Sequence, residues 1–343
     1  MPAMTTSRTT SVAVALTAFA LASTSTHFGG EISAQASPTA VFRLSETAER
    51  PSGQIVNTER AVRSAYGWPV KPFHRQHPVR GFFGDPRISN HGRTRQFHFG
   101  VDISAPNETA VYATLTGRVW IHPLHRTTIA IVGDDGLELS YWHVVPTVRT
   151  GTKAIAYKTV IGHIEAPYGH VHFAESRNGR YLNPLRPGAM GPYVDHTRPR
   201  LLRVSAERDG RRLAANVRLA TFDLVVEVED ETPLAVPRPW HGLHVMPALV
   251  RWRVLDESGH PASEWKTAVD FRQTIPPASE FDRVWAPGAT QNHVRAPGSY
   301  RLTLAHDIDR SSLRGRQIEV LVADTRGNAS RARFGVRELL RGS

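Results

Sequence analysis

The chain has 343 residues, with 42 Lys and Arg against 31 Asp and Glu, a formal net charge of +11 and no cysteine. The missing thiols exclude a disulfide framework and any thiolate metal site, and the length allows two domains with sizeable cores. The basic balance suits a polyanionic partner. The cations are scattered, in clusters as short as Arg198-Pro199-Arg200 and Arg211-Arg212, and no nucleic-acid-binding motif accompanies them. Nucleic acid and bacterial wall polymers are both such partners, and the missing motif lowers the first; a solvated basic face is the competing reading.

In chain order, Val12 to Ala22 is an apolar run too short to span a bilayer. With small-x-small sites after it, at Ala20-Leu21-Ala22 and at the favoured Ala34-Gln35-Ala36, it reads as a signal peptide over residues 1–36. No other stretch is long and apolar enough to span a membrane, so export with no anchor is expected. An exported fold without disulfides must rest on its core, or on metal. Residues 37–66 are polar and aperiodic, a linker with a short helix expected near Thr58 to Ala65. Pro69, Pro72, Pro78 and Pro86 then punctuate an irregular lead-in.

From there the pattern is all-β. Val111 to Ala113, Arg118 to His122 and Val160 to Ile164 read as strands. Thr128 to Val132 and Leu137 to His143 alternate around Gly133-Asp134-Asp135-Gly136, the signature of a hairpin. In the second run Leu137, Leu139, Tyr141 and His143 are expected on one face. Beyond Arg200 come further short runs: Leu202 to Ala206, Leu224 to Val228, Ala248 to Leu255, Trp265 to Phe271, Ser299 to Leu304 and Ile318 to Val322. Their spacing suggests an immunoglobulin-like β-sandwich over residues 198–336.

Three stretches carry chemistry. In Tyr168-Gly169-His170-Val171-His172-Phe173 two imidazoles stand two residues apart, which puts them on one face only in a strand. With 17 histidines in 343 residues about one such pair is expected by chance, so the pair alone decides nothing. Upstream, His98-Phe99-Gly100-Val101-Asp102 is the one place where Asp follows His by four, and Val101, Ile103 and Pro106 make it extended. Tyr141-Trp142-His143 is the third. Imidazole and carboxylate together suit a borderline cation such as zinc. Other histidines are poorer candidates: His122/His125, His74/His77 and His241/His244 read as surface, and His91 and His163 as rim residues.

The three pieces, in this order, resemble the lysostaphin-type (LytM-type) zinc metalloendopeptidases of peptidoglycan, whose motifs are His-x-x-x-Asp, Tyr-x-His and His-x-His-Phe. The flanks Phe83-Gly84-Asp85-Pro86-Arg87, Ala105-Pro106, Val111-Tyr112-Ala113, Gly117-Arg118-Val119 and Asn183-Pro184 agree. The resemblance covers roughly residues 67–190. It departs at Asn107-Glu108-Thr109 and at the short loop Ala166-Pro167-Tyr168, which bear on loop shape and so on substrate choice. It implies a small antiparallel peptidase domain of duplicated hybrid motif over residues 67–190. One zinc ion is implied on His98, Asp102 and His172, with His170 as general base and His143 as oxyanion donor. The expected reaction is hydrolysis of peptide bonds in peptidoglycan cross-bridges or stem peptides. Two alternatives stay open: a silent wall-binding or amidase-activating module, of which a lost ligand would be the mark, and a metallopeptidase acting on other proteins. The C-terminal domain reads equally as wall binder or spacer, and the sequence gives no oligomeric state.

Overall fold

Nearly every element of the computed structural model, which describes residues 64–89, 94–214, 220–294 and 296–339, is a β-strand. The expected signal peptide, residue 295, and all but the end of the expected linker helix lie outside the described residues. The first sheet contains β1 (Val79–Gly81), β4 (Val101–Ser104), β6 (Gly117–Ile121), β7 (Thr128–Val132), β8 (Leu137–Trp142), β10 (Lys153–Ala154), β12 (His170–Arg177) and β13 (Arg180–Leu182). Its order is β1-β4-β12-β8-β7-β6-β10, with β13 beside β12, and all pairs are antiparallel. A second sheet runs β5 (Ala110–Tyr112), β11 (Val160–Ile164), β9 (Val144–Pro146), and β2 (Pro86–Ser89) pairs with β3 (Thr94–Phe97) in a hairpin. The Pro-punctuated lead-in thus holds strands that its composition hides. The expected hairpin is β7–β8, and Leu137, Leu139 and Tyr141 do share a buried face. His143 does not continue it: the strand ends at Trp142 and His143 takes a left-handed φ of 62°.

Strand β12 sits between β4 and β8. Val171 and Phe173 turn one way into the core, where Phe173 meets Tyr66 and Tyr141 at ring-centroid separations of 5.7 and 5.3 Å. His170 and His172 turn the other way, as period two requires. The register sets Asp102 of β4 and Trp142 of β8 directly opposite His172. On the core side Glu175 is buried and takes Arg186 at 2.6 and 2.7 Å and the Tyr66 hydroxyl at 2.5 Å, so the one buried charge there is paired.

The remaining strands form two four-stranded antiparallel sheets. One is β15 (Arg211–Arg212), β14 (Arg200–Arg208), β16 (Thr221–Glu229), β19 (Tyr300–Asp309); the other is β18 (Lys266–Asp270), β17 (Leu249–Leu255), β20 (Gln317–Ala323), β21 (Ala329–Gly335). Arg200 and Arg203 are paired with Glu229 and Glu227. These sheets pack on the first part of the chain. Phe97 of β3 lies 5.6 Å from the Phe271 ring and 5.3 Å from that of Phe281. Asn183 donates from Nδ2 to the Phe271 carbonyl at 2.9 Å, and its amide donates to that of Gln273 at 2.9 Å.

Phe271 is fully buried, so Phe271→Ala should cost about 3–5 kcal/mol in urea unfolding. Because its ring packs on Phe97, the signals of residues 67–190 and of 198–336 should both shift to lower urea. A shift confined to the C-terminal segment would show two independently folding domains.

Candidate metal centre

His98 is held from several directions. The turn Phe82–Asp85 accepts and gives backbone bonds on either side of it: Gly84 N donates to the His98 carbonyl and His98 N to that of Asp85, both at 2.8 Å. The His98 Nδ1–H then donates to the Phe82 carbonyl at 2.8 Å, which leaves Nε2 as a bare lone pair. The Phe83-Gly84-Asp85 flank is therefore the clamp on a site residue. Asp102 comes from β4 and His172 from β12, one residue pair across the ladder.

The three donor atoms converge. His98 Nε2 is 2.7 Å from His172 Nδ1 and 3.2 Å from Asp102 Oδ1, and His172 Nδ1 is 3.1 Å from Asp102 Oδ1. All three residues are buried, at 3–6 % exposure. A lone pair and a carboxylate oxygen repel at such a distance unless a proton on His172 Nδ1 or a cation lies between them. Two corners of a tetrahedral zinc site stand roughly 3.4 Å apart, close to the spacing seen. This donor set, two imidazole nitrogens and one carboxylate oxygen, fits a zinc ion. Among the described residues it is the one His/Asp/Glu group gathered tightly enough to hold a metal.

The electrostatics keep the donors in their binding forms. Burial, with the Arg87 charge behind it, draws His98 down to about 3, and burial also lowers His172. Burial alone would raise Asp102, but the neighbouring His98 and the Arg87 guanidinium, whose Nη2 donates to Oδ2 at 2.7 Å, hold it well below the usual carboxylate range. At neutral pH the imidazoles are therefore uncharged and the carboxylate is ionised.

Two glycines make room for this. A Cβ on Gly81 of β1 would lie 2.3 Å from Asp102 Oδ2, and one on Gly100 would lie 2.4 Å from the Phe173 carbonyl and 2.9 Å from His172 Nε2. Gly81 carries no local signal in the sequence, since its meaning depends on which residue the sheet places beside it.

His143 and His170 adjoin the cluster. Their rings are 4.8 Å apart, and His143 stacks on Tyr168 at 3.9 Å. The left-handed backbone at His143 is a strained conformation for this residue type and turns the ring back over the site. Burial, then the neighbouring His170, draws His143 down to about 2. His170 Nε2 lies 3.4 Å from Asp102 Oδ1. At its other nitrogen stands Arg80, which the sequence did not single out. Its Nη2 is 2.6 Å from His170 Nδ1 and 2.8 Å from the Tyr168 carbonyl, and the indole of Trp240 covers the guanidinium at 4.3 Å. His122, expected at the surface, is buried and accepts from the amides of Leu124 and His125, a loop role. His163 is on β11 and His91 lies outside the described residues.

No family model matches the sequence, and no curated protein matches it. Solved structures do. The chain is similar to the catalytic domain of lysostaphin from Staphylococcus simulans (24% identity over 31% of this chain and 86% of that one, TM-score 0.25). It is similar to a zinc-containing peptidase from Vibrio cholerae (24%, 35% of this chain and 39% of that one, TM-score 0.29). It is also similar to a chain of the SpoIIIAH–SpoIIQ complex (21%, 35% of this chain and 97% of that one, TM-score 0.28).

Gly81→Ala should displace the Asp102 carboxylate and weaken zinc binding by about 10–100-fold, the usual cost of disturbing a ligand's support. Competition with a zinc chelator measures this; an unchanged affinity would mean that Asp102 does not bind the ion.

Proposed function

We propose that the protein is a lysostaphin-type zinc metalloendopeptidase that hydrolyses peptide bonds of peptidoglycan in the bacterial envelope. The observation that carries the reading is the convergence of His98 Nε2, Asp102 Oδ1 and His172 Nδ1, with two further imidazoles beside them. Bound by these three residues, zinc would supply a Lewis acid and lower the pKa of a water from about 16 to roughly 7.

The protein's own groups do the rest. His170 stands next to Asp102 on a rigid central strand, within reach of a proton on an attacking water, and serves as general base and then as donor to the leaving amine. When its Nδ1–H donates to the Tyr168 carbonyl, 3.0 Å away, the Nε2 lone pair faces the cluster, the form a base requires. His143, fixed by its stacking on Tyr168, donates to the oxygen on which charge develops, a task worth about 3 kcal/mol in comparable donors. Tyr168 thus orients both histidines. Export fits the apolar run Val12 to Ala22, and no described helix is long and apolar enough to cross a membrane.

Metal analysis alongside release of soluble peptide from purified wall tests this. The full chain should carry one zinc and release peptide. His170→Ala and His143→Ala should keep zinc and lose a hundredfold or more in rate, whereas His172→Ala should lose the zinc as well. A full chain that binds zinc and releases nothing from wall, yet digests casein, would favour a protein-directed peptidase. One that binds zinc and cuts neither would favour the silent wall-binding or amidase-activating module.

A further inference from the structure

Arg80 is the one charged group at the site that neither the metal cluster nor the proton transfers use. Only its Nη2 edge is engaged, by the Tyr168 carbonyl and His170 Nδ1. No carboxylate among the described residues pairs with it; Asp102 is turned to Arg87 and to the two ligand imidazoles. The Trp240 indole covers one face of the guanidinium and fixes its plane. Arg80 and Trp240 are each half-buried, so part of each is open to a bound molecule. Burial draws Arg80 down to about 10, which leaves it protonated at neutral pH.

A planar cation with one unoccupied N–H edge, held by an aromatic wall, matches the two oxygens of a carboxylate. We propose that Arg80 and Trp240 form a subsite for a free carboxylate on the substrate residue next to the cleaved bond. The residues come from far apart: Arg80 lies on β1 and Trp240 in the loop between β16 and β17. The C-terminal segment thereby takes part in substrate choice. The subsite is coupled to His170. While Arg80 donates to Nδ1 the ring proton sits on Nε2, toward Asp102. Drawing the guanidinium onto a substrate carboxylate lets the ring carry its proton on Nδ1, which then donates to the Tyr168 carbonyl and bares the Nε2 lone pair for the water. Arg80 is thus a specificity residue that also positions the base. The inference rests on the peptidase reading above for the identity of the ligand as a peptide.

The test uses the full chain freed of metal by a chelator, so that binding is read without turnover. The probe is a fluorescein-labelled pentapeptide ending in D-Ala-D-Ala, as the free acid and as the carboxamide. Fluorescence anisotropy should show the acid binding about tenfold or more tightly than the amide. Arg80→Met should bind both alike while keeping the circular dichroism of the parent, and Arg80→Lys should restore part of the difference. Trp240→Ala, a change in an exposed loop, should reduce the preference without abolishing folding. Equal binding of acid and amide by the parent, no binding of either, or a preference that survives in Arg80→Met would each overturn the proposal. If the preference behaves as expected but zinc-loaded protein releases nothing from wall, the subsite stands and the peptidase reading fails. With turnover, the amide should lose kcat as well as raise KM; a change in KM alone would leave Arg80 a binding residue with no hold on His170.

Discussion

A slip of one residue between β4 and β12 would turn both imidazoles of the His-x-His pair into the core and leave Asp102 facing nothing. The register of these two strands is the constraint on which the centre depends. It is pinned from the other face, where Val171, Phe173 and Ile103 are fully buried. Each buried aromatic or branched side chain there is worth about 1.5–3 kcal/mol, so the apolar face fixes the position of the polar one. The polar face then gathers lone pairs that hydrogen bonds satisfy only in part: one His172 Nδ1–H is shared between His98 Nε2 and Asp102 Oδ1, and the buried His172 Nε2 has no partner among the described residues. Arg87 offsets the charge of Asp102, but the His98 lone pair still faces a carboxylate oxygen at 3.2 Å. The fold thereby gathers three donor atoms close enough to hold a cation.

The charges around this cluster are divided between two arginines with different tasks. Arg87 is spent on Asp102 and supports the site from behind. Arg80 stands beside His170, engaged at its Nη2 edge only. Both sit within a short span of sequence, Val79 to Arg87, that wraps β1, the Phe82–Asp85 turn and the start of β2 around the cluster. That span is clamped in turn by the aromatic packing of Phe97 with Phe271 and Phe281, so the C-terminal sheets bear on the geometry of the centre.

Much of this was legible in the sequence. Period-two alternation exposed β7, β8, β11 and most strands beyond Arg200, and the all-β class with it. The spacing of His170 and His172 singled out the strand, and the resemblance carried by the three motifs implied the set His98, Asp102 and His172 that the structure gathers. The features that escaped are those that depend on a neighbour far along the chain. Gly81 is unremarkable until the sheet sets it against Asp102. Arg80 and Trp240 meet only through the packing of distant segments. His143 was read as the end of an alternating run, but an αL backbone follows no hydrophobic period. The β2–β3 hairpin was hidden by proline, which tolerates the first position of a strand.

The central claim is that one cation is held by His98, Asp102 and His172 while His143 and His170 stay off it. Crystals of the zinc-loaded full chain, measured on both sides of the zinc absorption edge, test it most directly. The account predicts one strong anomalous peak within about 2.0–2.2 Å of His98 Nε2, Asp102 Oδ1 and His172 Nδ1, with no protein bond to His143 or His170. A peak bonded to His170 or His143, or zinc elsewhere with the Asp102 carboxylate committed to Arg87 alone, would contradict it.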